Sequence, residues 1–114
     1  MRKVEQDIVS IVKDFRSRKV TGKRQPTKRD CIASQNGSVC VALWGTAIAT
    51  ITDEDMIMNS GGYRSVTTKS RLNALLQGMG SNWRIYQQNF VWWMRHTKLD
   101  ARIEFHDGIS VPLF

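Results

Sequence analysis

No stretch of the sequence is apolar for long enough to cross a bilayer. The longest runs, such as Val39 to Trp44, fall far short of the ~20 residues a spanning helix needs. Acidic and polar residues (Glu5, Gln6, Asp7) interrupt the N-terminal segment at once, so no signal-peptide core follows. The reading is a cytoplasmic protein with no membrane association. Cysteine is scarce, at two residues, too few for a disulfide framework. Cys31 and Cys40 therefore read as small buried hydrophobes, although a hairpin turn at Asn36-Gly37 would set Cys40 opposite Ala33 with Cys31 diagonal to it, leaving a bridge open.

Catalytic motifs are missing as well. The chain has no G-x-S-x-G, C-x-x-C or H-E-x-x-H and no glycine-rich phosphate loop with its lysine. Its two histidines, His96 and His106, lie too far from each other and from the cysteines for the tight ligand pairs of a structural zinc site. Asp53, Glu54 and Asp55 are consecutive carboxylates, which at a turn solvate the tip more readily than they bind a metal. The expectation is a non-enzymatic protein with no metal and no cofactor.

What the sequence does have is positive charge, placed unevenly. The formal net charge is +7 over 114 residues. Residues 1–30 hold ten Lys/Arg against four Asp/Glu, whereas the remainder holds seven against six. A chain of this length accommodates one domain.

Val4, Ile8, Ile11, Val12 and Phe15 fall on one helical face and predict an amphipathic helix over residues 1–15. Arg16, Arg18, Lys19, Lys23, Arg24, Lys28 and Arg29 then mark residues 16–30 as a basic arm or loop, mobile until something anionic meets it.

From residue 31 the pattern turns to short β-like runs. Asn36-Gly37 between Cys31–Ser34 and Ser38–Leu43 is a strong hairpin signal, because both central positions of a type I′ turn need positive φ. Runs at 47–51 and 56–58 continue a meander. A second helix follows, with Leu72, Leu75, Leu76 and Met79 on one face, capped by Thr67 or Thr68 and ending near Gly78 or Gly80. Residues 83–87 and 91–94 form another hairpin around Gln88-Asn89, residues 102–105 one more strand, and 109–114 an apolar tail. The fold class is α+β: an N-terminal helix, an antiparallel meander sheet of four to seven strands, and one central helix packed on the sheet.

Two features could bind a partner. The first turn of a helix carries partial positive charge, so Lys69 and Arg71 there cost about 0.3–1 kcal/mol each. Together with Arg64 and the hydroxyls of Thr67, Thr68 and Ser70 they have the composition of a phosphate site; the alternative is simple capping, with the cations in water. Trp92 and Trp93 are adjacent, so in a strand they point to opposite faces. One of them should leave the core, free to stack on a base or fill a partner's pocket, unless both faces are covered. Trp44 and Trp83 read as core.

The segment N-S-G-G-Y-R-S-V-T-T-K-S-R-L-N-A-L-L (Asn59 to Leu76) resembles small accessory proteins of tailed bacteriophages, as do the flanking L-W-G-T-A-I-A-T-I and R-I-Y-Q-Q-N-F-V-W-W. The resemblance covers about residues 38–94 and leaves the basic arm outside. It implies a phage or prophage origin and an accessory role in the cytoplasm of an infected bacterium, without assigning a reaction. Two readings follow. One is a protein that binds DNA or RNA through the basic arm, the helix start and an exposed Trp92 or Trp93. The other is a small phage inhibitor (anti-CRISPR, anti-restriction or anti-polymerase) whose basic arm occupies an acidic or nucleic-acid-binding groove of a host enzyme.

Overall fold

The computed structural model describes residues 1–62 and 64–113. In chain order the elements are α1 (Lys3–Arg18), β1 (Gly22–Arg24), β2 (Asp30–Gln35), β3 (Ser38–Leu43), β4 (Thr46–Ile51), β5 (Asp55–Met58), α2 (Val66–Gly78), β6 (Trp83–Gln88), β7 (Val91–His96), β8 (Arg102–Glu104) and β9 (Ile109–Pro112). All strand pairs are antiparallel. A six-stranded sheet runs β1-β2-β3-β4-β5-β9, and a separate three-stranded sheet runs β6-β7-β8. The fold is α+β with an N-terminal helix and a second helix on the sheet, as the sequence pattern indicates. Among the described residues, no helix is long and apolar enough to cross a membrane.

Three hairpins close with two-residue turns in which both residues have positive φ: Asn36-Gly37, Trp44-Gly45 and Asn89-Phe90. This is the turn whose twist matches that of paired strands. The Asn36-Gly37 turn fixes Ala33 opposite Cys40, the register expected from sequence. Cys31 and Cys40 are free thiols, but they are half-buried on the outer face of the large sheet, not sealed in the core as expected.

The inner face of the large sheet supplies Ile32, Val39, Val41, Leu43, Ile51, Met56, Met58 and Val111 to the core. Ile8, Val12 and Phe15 of α1 and Leu72, Leu75 and Leu76 of α2 pack on it. The two helices come close at Gly78, where an added Cβ would lie 2.5 Å from Val9 Cγ1. The small sheet joins the same core through Ile85, Trp92 and Met94, with Phe105 edge-on to Trp92 at 5.3 Å between ring centroids.

Asn73 of α2 fastens the small sheet. Its amide nitrogen donates to the Ile85 carbonyl at 2.8 Å, and its amide oxygen accepts from the Ile85 N–H at 2.7 Å. The side chain thus does for the free edge of β6 what a neighbouring strand would do.

The expected arm at 16–30 is largely built into the fold. Arg16 and Arg18 are in the last turn of α1, Lys19 caps that helix with its N–H on the Phe15 carbonyl, and Gly22–Arg24 is the edge strand β1. Apolar Phe15 anchors the helix end in the core, and pairing with β2 extends order through Arg24.

Candidate nucleic-acid interface

The α2 N-terminus is capped by Ser65, whose hydroxyl accepts from the Thr68 N–H at 3.1 Å. The expected cap at Thr67 or Thr68 is displaced upstream by two or three residues. Thr68 is buried with its hydroxyl 3.0 Å from that of Ser65. A groove of about 310 Å³ runs past this end, bounded by Trp44, Thr46, Gly61, Ser65 and Thr67. Among the described residues, no Lys or Arg lines it.

Arg71 corrects the sequence reading most. It is 2% exposed and points into the protein. Its Nε donates to Asp30 Oδ1 at 2.9 Å, one Nη to Asp30 Oδ2 at 3.3 Å and the other to Glu5 Oε2 at 3.2 Å. Asp30 also accepts from the Thr27 hydroxyl at 2.6 Å. Glu5 accepts from Ser70 and, at 3.3 Å, from Arg2. Burial pushes the Glu5 carboxyl up, but the hydrogen bonds from Ser70 and Arg2 outweigh it and hold its pKa below the ordinary value. This ionic knot ties α1, β2 and α2 together. Arg71 and Ser70 are thereby occupied, so the phosphate pocket expected at residues 64–71 does not assemble.

The other expected contacts sort by what holds them. Arg16 is half-buried, with its guanidinium on the Thr52 carbonyl and the Met79 sulfur. Arg18 pairs with Asp14, and Lys19 with Asp53. Arg64 lies over the Trp92 and Phe105 rings, 5.6 and 5.5 Å from their centroids, while Thr67 and Lys69 are half-buried at the surface. Lys23, Arg24, Lys28 and Arg29 are exposed, and among the described residues none has an ion-pair partner. These four form a basic rim along the β1 edge and the loop that follows it.

Trp92 is 1% exposed and belongs to the core, whereas Trp93 faces the other way and is half-buried. Trp44, read as core, is instead 70% exposed on its hairpin turn. Phe90 is 94% exposed on another turn, at φ 63°. Positive φ costs a bulky residue conformational strain, and neither ring recovers it by packing. Gly45 marks a break in the sequence but says nothing of the ring before it, and an Asn-Phe dipeptide carries little turn signal beside the Gln88-Asn89 expected there.

Sequence reasoning also missed three arginines. Arg84, Arg95 and Arg102 lie directly opposite one another across β6, β7 and β8. A turn at Gln88-Asn89 would set Arg84 opposite Trp93; the observed turn at Asn89-Phe90 sets it opposite Arg95. Burial, and then the charge of Arg95, lower the pKa of the Arg84 guanidinium.

His96 serves a local turn, its Nδ1 accepting from the N–H groups of Lys98 and Leu99 at 3.1 and 3.0 Å. Among the described residues, no group of three or more His, Cys, Asp or Glu side chains could hold a metal ion.

Comparison with curated proteins and with solved structures gives no match in either set. A family model described as Kyanoviridae Gp96 protein matches residues 1–112. The match spans both helices and all nine strands, including the basic rim that lay outside the resemblance seen in the sequence, and the chain therefore belongs to the Kyanoviridae Gp96 protein family of phage proteins.

Proposed function

We propose that this phage protein is a non-enzymatic accessory factor that binds nucleic acid in the cytoplasm of the infected bacterium, with the basic rim as a sequence-independent phosphate contact. The observation that carries the reading is the group Lys23, Arg24, Lys28 and Arg29, exposed and without carboxylate partners among the described residues. Lys23 and Arg24 also discourage the edge strand from pairing with another chain. Lys28 and Arg29 lie beyond that strand and have no such use. Folding gains nothing from concentrating like charges there, whereas a polyanion gains counterion release.

The test is equilibrium binding of random-sequence duplex and single-stranded oligonucleotides by the wild type and by the fourfold variant Lys23→Ala, Arg24→Ala, Lys28→Ala, Arg29→Ala. Each lost phosphate contact should reduce the salt slope by about one. A wild type that binds neither oligonucleotide at low salt would end the reading.

A second reading is a small inhibitor docking on a host enzyme, and Trp44 and Phe90 favour it. Exposed aromatics at fixed turns are the residue types that anchor protein interfaces. A stoichiometric bacterial protein that stays bound after nuclease treatment, and is lost on Trp44→Ala, would support it over the first.

A further inference from the structure

The small sheet has one face in the core and one in water. Ile85, Trp92 and Met94 point inward and are buried. By strand alternation the opposite face carries Arg84, Tyr86 and Gln88 of β6, Val91, Trp93 and Arg95 of β7, and Arg102 and Glu104 of β8. Register arranges them in rows: Arg84, Arg95 and Arg102 in one, and Tyr86, Trp93 and Glu104 in the next.

Like charges directly opposite on neighbouring strands are destabilising. Here the repulsion occurs twice in one row. Among the described residues, no carboxylate forms an ion pair with any of the three arginines, although Glu104 shares their face.

Next to the row, flat groups are held in place. The Arg102 guanidinium sits 4.3 Å from the Trp93 ring centroid, and one of its nitrogens donates to the Tyr86 hydroxyl and to Gln88 Oε1, each at 3.3 Å. Arg84 donates to the carbonyls of Ser81 and Trp83, each at 2.7 Å. Two of the three cations are thus oriented before any ligand arrives.

We infer that this open face binds single-stranded nucleic acid, the bases stacking on the Trp93–Arg102 pair and on Tyr86 while phosphates meet Arg84, Arg95 and Arg102. The inference rests on the nucleic-acid reading above and narrows it to a surface and a strand state. Charge complementarity selects a polyanion. The aromatics select the strand state, because only unpaired bases offer their faces to side-chain rings and guanidinium planes. A duplex keeps those faces inside its own stack and would find only the arginine row.

The experiment is fluorescence anisotropy of labelled oligothymidylate, oligouridylate and a duplex of equal length, titrated with the full-length protein. Trp93→Ala is expected to weaken both single strands about 5- to 100-fold, in line with the loss of one stacked base, and to leave the duplex nearly unchanged. Trp93→Phe should restore part of the loss. Arg95→Glu, at an exposed position with no side-chain hydrogen bond among the described residues, keeps the test decisive should Trp93→Ala unfold; it is expected to weaken single-strand binding at least about tenfold. Unequal effects on the two single strands would distinguish DNA from RNA as the ligand and uphold the inference. If the fourfold rim variant abolishes binding while Trp93→Ala and Arg95→Glu bind as wild type does, nucleic-acid binding stands and the platform is overturned. If the wild type binds no oligonucleotide, both fall together.

Discussion

Arg71→Met should lower the stability of the protein by about 3–5 kcal/mol. Arg71 is buried with Asp30 at 1% and Glu5 at 4% exposure, and it supplies three of the hydrogen bonds those carboxylates receive. Methionine fills similar space but neutralises nothing. Glu5 would retain Ser70 and Arg2, whereas Asp30 would keep the Thr27 hydroxyl as its side-chain donor. Removing one member of a buried ion pair costs about 3–5 kcal/mol, because a charge is left without compensation. Against a total stability of about 5–15 kcal/mol that is a large share, equivalent to roughly 12–20 °C in Tm for a domain of this size. Urea unfolding followed by circular dichroism measures it. Adding Asp30→Asn should recover part of the loss by removing the stranded charge. A loss under about 1 kcal/mol for Arg71→Met would refute the idea that this knot holds α1, β2 and α2 together.

Three further outcomes are expected. Gly78→Ala should destabilise by about 1–2 kcal/mol, since the new Cβ meets Val9 Cγ1 and Cγ2 at 2.5 and 2.7 Å, and overpacking outweighs the helix-propensity gain of about 1 kcal/mol; Val9→Ala in the same chain should reverse the sign. Asn73→Ala should cost about 1–3 kcal/mol by stranding the Ile85 N–H and carbonyl, with amide exchange in β6 rising first. In acid, stability should fall. The pKa values of Glu5 and Asp107 are both lowered in the fold from ordinary values of 4.5 and 3.8, so their contribution is complete above those values and disappears as pH falls through the lower folded ones. For Asp107 the cause is first the Ser60 N–H, at 2.8 Å, opposed by burial and reinforced by the Ser60 hydroxyl. Asp107→Asn should flatten part of the urea-midpoint decline as pH falls below 3.8.

What was legible in the sequence was local. The spacing of Ile8, Val12 and Phe15 and of Leu72, Leu75 and Leu76 marks both helices because a 3.6-residue period needs only neighbours to express itself. Asn36-Gly37 fixed a register because the turn selects the pairing. The failures were of two kinds. Trp44 occupies a turn position where Asn, Asp or Gly is expected, and Phe90 one where Gly is expected, so one turn concealed an exposed ring and the other displaced the pairing that aligns Arg84 with Arg95. Arg71 meets Asp30 and Glu5 across 41 and 66 residues of chain. No periodicity signals a contact of that range, and an arginine in a helix's first turns looks the same in sequence whether it faces water or a buried carboxylate. The basic rim was visible as composition, but only the fold separates Arg16, Arg18 and Lys19, which are engaged, from Lys23, Arg24, Lys28 and Arg29, which are not.

The proposal that these cations exist for a polyanion is tested most directly by the salt dependence of duplex DNA affinity. Four phosphate contacts predict a slope of log K against log salt of about −3.6, so that a fourfold rise in salt weakens binding about 150-fold. A slope near zero, or no measurable affinity for either duplex or single-stranded oligonucleotides at the lowest salt, would contradict the account.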